Sequence, residues 1–131
     1  ATALIRLTQA EMEYTKDSVM WELCEGDRFK VQGRTAFQGA RLGDPAAKRV
    51  LNTYLHGLSI GIINLINILQ PEIICLGGGV SKQGENLLRP IREHMNRFCF
   101  DRFSQNRTEV RIAELGNDAG IYGAVRLIVG D

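Results

Sequence analysis

The sequence has 131 residues, is 44% hydrophobic and 24% charged, and carries a net charge of +1. These values fit one globular domain with enough chain to bury a core. Sixteen basic residues against 15 acidic ones give no electrostatic reason to expect nucleic acid or an anionic membrane as a partner. Cys24, Cys75 and Cys99 form no CxxC pair and are odd in number, so a disulfide framework is not expected and a reducing cytoplasm is.

Ala3, Leu4, Leu7, Ala10 and Met12 set a short helical rhythm from the first residue, and a second short helix is expected over Ser18 to Leu23. Because the chain opens on Ala1 in mid-rhythm, an amino-terminal part outside this sequence is expected. The stretch from Glu25 to Gly43 is polar and dotted with glycine, with a further short helix expected over Arg34 to Arg41. Gly43-Asp44-Pro45 then starts a long helix: the Asp44 carboxylate can accept from the free N–H groups of the first turn, and Pro45 fits the first helical position. Apolar residues recur at Ala47, Val50, Leu51, Tyr54, Leu55, Leu58, Ile62, Leu65, Ile66 and Leu69 before Pro71 ends the helix. The second half is apolar nearly all round, as expected of a helix threading a core. Asn64 and Asn67 interrupt that apolar stretch, which is also too short to span a bilayer. Their amides are expected to bond loop backbone near Pro71.

Ile73-Ile74-Cys75-Leu76, bounded by Pro71 and Gly77, predicts a strand buried on both faces, with Cys75 a small core residue. Asn86 to Phe98 predicts a helix with Leu87, Leu88, Ile91, Met95 and Phe98 inward, kinked or starting late at Pro90. Glu109 to Ala113 alternates like a strand, so strand, helix and strand should form a right-handed parallel βαβ unit. Asp118 to Val129 predicts a closing helix whose small residues, Ala119, Gly120 and Gly123, pack under the sheet.

The residues that can carry chemistry are Gly77-Gly78-Gly79-Val80, just past the carboxyl end of the first strand. Ligands bind there in open parallel sheets, and glycine lets a flat ligand approach the backbone. The same run could equally be a tight strand-to-helix turn with no ligand. It is neither a dinucleotide fingerprint, since Lys82 stands where the last glycine should, nor a P-loop, since Glu85 and Asn86 follow Gly84. His56 and His94 have no carboxylate partner in the pattern, and no zinc site is expected within the chain. Arg89, Arg92, Arg97, Arg102 and Arg107 fall among acids and polar residues, as on a solvated face, and Trp21 has no companions for base stacking.

Gly43-Asp44-Pro45-Ala46, the run from Asn67 to Ser81 (NILQPEIICLGGGVS) and the run from Leu115 to Ala124 (LGNDAGIYGA) resemble the carboxy-terminal signature blocks of the ROK family. That family comprises bacterial glucokinases, related sugar kinases and sugar-responsive repressors, and the resemblance covers essentially the whole chain in order. It implies an actin-like ATPase (ribonuclease H-like) α/β fold, a mixed sheet with a parallel βαβ unit and a long buried helix. The chain would be the C-terminal nucleotide-binding lobe, with residues 1–43 a helical and polar lead-in and residues 44–131 the α/β core. Gly77, Gly78, Gly79 and Val80 would line an adenine and ribose pocket, approached from the polar segment by Gly33 to Phe37, including Thr35. The family's first phosphate loop, catalytic aspartate, sugar-binding segment and cysteine-rich zinc motif would all precede Ala1. No catalytic or metal-binding residue is therefore assigned here, and this chain alone is expected to be inactive.

For the intact protein the resemblance implies an ATP- and Mg2+-dependent hexose kinase, a glucokinase converting glucose to glucose 6-phosphate. It would hold its hexose through the other lobe and act as a homodimer. The alternative within the family is the C-terminal half of a sugar-responsive transcriptional repressor. The residues taken alone leave a third reading, a stand-alone α/β packing module. If the nucleotide reading holds, Ile73–Leu76 should lie inside its sheet and the glycine turn should be open.

Overall fold

A computed structural model describes residues 1–104 and 107–129 and divides the chain into two compact units, 1–61 and 62–131. Six helices and two strands follow in order: α1 (Thr2–Tyr14), α2 (Met20–Leu23), α3 (Thr35–Arg41), α4 (Pro45–Leu69), β1 (Ile73–Leu76), α5 (Glu85–Phe98), β2 (Glu109–Ile112) and α6 (Ala119–Val129). No helix among the described residues is long and apolar enough to cross a membrane.

The first unit is helical. Leu4, Met12, Met20, Ala36, Phe37, Ala46, Ala47, Val50 and Leu55 form its buried apolar set. The buried hydroxyls of Thr8 and Ser59 are satisfied within their own helices, donating to the carbonyls of Leu4 (2.8 Å) and Leu55 (2.7 Å). Trp21 closes α1: its indole N–H reaches the carbonyls of Met12 and Thr15, both at 3.1 Å, which the helix end leaves without intrahelical partners. The Lys16 ammonium lies 4.9 Å from the Trp21 ring centre.

Gly39 marks the tightest approach in this unit. A Cβ placed there would lie 2.8 Å from Ala47 Cβ and 3.0 Å from Met20 Cγ. Met20 can swing aside, but Ala47 is anchored by its backbone. Gly39→Ala is therefore expected to destabilise the protein by about 1–2 kcal/mol, because overpacking outweighs the helix-propensity gain. A urea midpoint equal to or above the wild type would refute that.

In the second unit β1 and β2 pair in parallel, Ile73 opposite Glu109 and Leu76 opposite Ile112. Backbone bonds from Glu109 N to Glu72 O (2.8 Å) and from Ala113 N to Leu76 O (2.9 Å) extend the ladder at both ends. The expected strand, helix and parallel strand are all present. α5 packs on β2, and Ile66, Leu87, Leu88, Ile91, Met95, Cys99 and Val110 are buried. Thr108 Oγ1 donates to Pro71 O at 2.6 Å, and Asn67 Oδ1 accepts from Phe100 N at 2.9 Å. The Asn67 amide thus bonds loop backbone, in the segment after α5 rather than near Pro71.

Several expectations need correction. β1 is not buried on both faces. Ile73 and Cys75 are exposed, and Ile74 and Leu76 are half-buried. In a parallel pair, side chains alternate sides and register partners share one, so Ile74 lies on the side of buried Val110 and Cys75 on the other. Nothing among the described residues covers that second side, so Cys75 is no core residue. Among the described residues the sheet has two strands, so β1 is there a border strand rather than an internal one. The long helix α4 is buried along a stripe only, since Ile60, Leu65, Ile68 and Leu69 are exposed, and Asn64 is exposed as well.

Four further differences concern helix ends and packing. α4 ends at Leu69, two residues before Pro71, and is followed by left-handed Gln70 (φ 44°), whose N–H bonds Ile66 O at 2.8 Å. α5 begins at Glu85 with Pro90 inside it and makes no late start. Phe98, expected to face inward, is 55% exposed. In α6, Gly120 and Gly123 have nothing within 4 Å of where a Cβ would stand, so these two glycines do not pack under the sheet. The side chains of Ala119 and Arg102 lie outside the described residues.

Candidate functional site

The turn after β1 lies beside the turn after β2, because parallel strands end side by side. A Cβ on Gly77 would stand 3.5 Å from the carbonyl oxygen of Gly116 and 3.8 Å from Ala113 Cβ. Gly78 adopts φ 80° and ψ −177°, a backbone conformation that is essentially glycine's alone. A Cβ on Gly78 or Gly79 would meet nothing within 4 Å, so this corner is open. The backbone then enters a 3₁₀ turn, Gly79–Gln83, in which Ser81 N–H and Ser81 Oγ–H both donate to Gly78 O, at 3.1 and 2.7 Å. Gly84, at φ 55°, redirects the chain into α5.

The electrostatics of this corner are plain. No charged side chain occurs between Ile73 and Ser81, so this turn bonds through backbone groups and the Ser81 hydroxyl, while the neighbouring turn after β2 carries Glu114 and Asp118. Such a surface suits a flat neutral ring and a hydroxylated sugar better than a bare phosphate. Val80 is half-buried within the turn. Of the two conditions set by the sequence, the open turn is met and the internal position of β1 is not: among the described residues β1 borders its sheet, so the nucleotide reading has the open turn alone behind it.

Gly33 and Thr35 belong to the first unit. The chain turns at Gly33 and Arg34, with Thr35 N–H on Gln32 O and Gln32 N–H on Thr35 Oγ1, both at 3.0 Å. The Thr35 hydroxyl is buried and organises this turn. Cys24 Sγ lies 3.9 Å from Thr35 Oγ1. Burial pushes the Cys24 thiol up; the Thr35 bond relieves part of this, and the nearby Asp27 charge adds to it. Cys24 is therefore held as a thiol rather than as a nucleophile or metal ligand.

The side chain with the most hydrogen bonds in the first unit is Asp44, read from the sequence solely as a helix cap. Its Oδ1 accepts from the N–H groups of Ala46 (2.7 Å) and Ala47 (3.2 Å), which caps α4 as expected. Its Oδ2 accepts from Ser18 Oγ (2.6 Å) and Val19 N–H (2.8 Å), which joins α4 to the entry of α2. Burial opposes ionisation of Asp44, but these four bonds outweigh it and hold the carboxyl below its ordinary range. An open cavity of about 480 Å3 lies alongside, lined by Thr15, Asp17, Leu42, Pro45 and Arg49 among others. No local signal could have revealed the Ser18 bond, since 26 residues separate the partners.

Among the described residues no three His, Cys, Asp or Glu side chains gather where they could hold a metal ion. The glycine corner is open where side chains at Gly78 and Gly79 would project.

Comparison with known proteins gives consistent results. The ROK family matches residues 8–130. The glucokinase of Halalkalibacterium halodurans is 36% identical over 121 residues, covering 92% of this chain and 33% of that protein. The xylose repressor of Caldicellulosiruptor bescii is 27% identical over 94 residues, covering 72% of this chain and 23% of the repressor. The crystal structure of a ROK family glucokinase from Streptomyces griseus, in complex with glucose and AMPPNP, superposes with a TM-score of 0.81 at 28% identity. That match covers 95% of this chain and 40% of the other. The chain thus spans between about a quarter and two fifths of the proteins it matches.

Proposed function

Because the chain belongs to the ROK family and has the α/β fold of a ROK glucokinase, we propose that it is the C-terminal, nucleotide-binding lobe of an ATP-dependent hexose kinase. Glucose is the proposed substrate, since relatives named glucokinase match nearly the whole chain. The observation that carries this reading is the corner at Gly78 and Gly79, open where any other residue would project a side chain. An adenosine moiety would rest there, against Gly77, Gly78, Gly79 and Val80. Gly33 and Thr35 belong to the first unit, where Thr35 holds its own turn rather than offering its buried hydroxyl. ATP supplies the phosphoryl group when bound. This chain's own residues seat the base and ribose, and no residue of it is assigned to the accompanying magnesium. Phosphoryl transfer depends on positioning and charge stabilisation around the phosphates, and the glycine turn offers no cationic side chain for them, so we propose that this lobe alone does not turn over. The intact enzyme is proposed to be a homodimer.

A second reading, the corresponding part of a sugar-responsive repressor, is favoured by the xylose repressor match. Titrating ATP calorimetrically into the protein and its Gly79→Ala variant tests the first reading. Gly79 has room for a methyl group, so the melting temperature should hold. A methyl intruding on a seated ring should weaken binding by about tenfold or more, equivalent to roughly 1–3 kcal/mol of overpacking. Equal affinity in both proteins would remove the glycine corner from the site, and no saturable binding to either would favour the repressor.

A further inference from the structure

The arginines that read as a solvated face do not all face solvent independently. Arg92 and Asn96 stand one helical turn apart on α5 and so project from the same face. Arg107, just before β2, donates from Nη2 to Asn96 Oδ1 at 2.7 Å, while the Arg92 guanidinium reaches back along α5 to Glu85. Both groups, with Asn96, Thr108 and Glu109, line an open cavity of about 400 Å3 between α5 and the entry to β2. In the pairing register this is the amino-terminal end of the strand, away from the glycine turn.

The charges there are not balanced. Arg92 Nη1 meets both carboxylate oxygens of Glu85 at 3.0 and 3.1 Å, and its Nη2 donates to Val110 O at 3.3 Å. The Glu85 side chain is 70% exposed, so this pair is screened and readily exchanged. Glu109 is engaged by Arg111. The hydrogen bond from Arg111 holds its carboxyl below the ordinary range, and the charge of Arg92 adds to this. Among the described residues, then, Arg92 is bonded to an exposed carboxylate, Glu109 is held by Arg111, and Arg107 is bonded to a neutral amide, which leaves two guanidiniums on one cavity open to an anion. Such forks match the oxygens of a phosphoryl group in geometry and charge.

We infer that this cavity is a binding site for the phosphoryl group of a small phosphorylated metabolite or of free phosphate, separate from the proposed nucleotide corner. The site is tested by calorimetry and 15N chemical-shift mapping at low salt, with inorganic phosphate and phenyl phosphate as probes. Saturable binding is expected, with shifts gathered at Arg92, Asn96, Arg107 and Thr108. Arg107→Ala should weaken it by about tenfold or more, whereas Arg89→Ala, on an exposed arginine paired with Glu93, should leave it unchanged. Arg107→Gln removes the charge with a smaller change in shape and serves if the alanine variant loses its far-UV circular dichroism. Equal affinity for the two probes identifies free phosphate as the ligand, and tighter phenyl phosphate identifies an organic ester. No saturable binding, equal affinities of wild type and both Arg107 variants, or shifts gathered elsewhere would overturn the inference.

Discussion

Replacing Asp44 by alanine is expected to lower stability by about 3 kcal/mol, because the change removes a helix cap and a tertiary tie together. Loss of an N-cap side chain costs about 1 kcal/mol. Asp44 also answers the Ser18 hydroxyl and the Val19 N–H, and a buried donor left without a partner costs about 1–3 kcal/mol. Against a total of about 5–15 kcal/mol for a typical domain, such a loss is readily measured as a fall in the urea midpoint. Asp44→Asn should cost less than the alanine change. Its remaining oxygen still caps α4 and the Ser18 hydroxyl can rotate to accept, while the Val19 N–H has no such freedom. An alanine variant within about 0.5 kcal/mol of wild type would show that these bonds do not hold the first unit together.

The same carboxylate sets a pH dependence of known sign. Its folded-state pKa lies below the ordinary aspartate value despite burial, owing to the four bonds it accepts. Its contribution is therefore complete above that ordinary value, about 3.9, and is lost as the pH falls through the lower folded value. In acid, wild type should lose stability relative to Asp44→Asn, which has no proton to take up.

Gly78→Ala is expected to cost about 1–3 kcal/mol in the second unit, for a reason unrelated to space. Nothing lies within 4 Å of the added methyl, but the backbone at φ 80° and ψ −177° is one that only glycine adopts without strain. Gly79→Ala is the natural control, because Gly79 has the same open surroundings without a positive φ. The difference in melting temperature between these neighbouring variants isolates the backbone strain. Gly78→Ala should weaken nucleotide binding at least as much as Gly79→Ala, since the altered turn would move the carbonyl that Ser81 grips. Equal stability of the two variants would mean the turn is not held in this conformation.

The elements were legible where the cause is local. Asp44-Pro45 starts α4 because a carboxylate and a fixed φ suit a helix N-terminus whatever lies beyond. The apolar rhythm of Leu87, Leu88, Ile91 and Met95 gave the buried face of α5 for the same reason. Pro90 did not delay that helix: its missing N–H forgoes one hydrogen bond, a loss smaller than the apolar contacts on either side of it. What depends on distant partners was not legible. The Ile73–Leu76 run predicted a doubly covered strand, but how much of a strand is covered depends on what packs against it. The second bond set of Asp44 and the placing of Arg92 and Arg107 on one cavity likewise arise from tertiary placement. The glycine corner was found by composition and position together, although its open space could be seen only once the turn after β2 was in place beside it.

The outward face of β1 has a practical consequence. Cys24 and Cys99 are buried while Cys75 is exposed, so a maleimide dye or spin label should discriminate among the three thiols without mutagenesis. A reporter attached there would sit two residues from Gly77. It could follow occupancy of the corner by its change in signal.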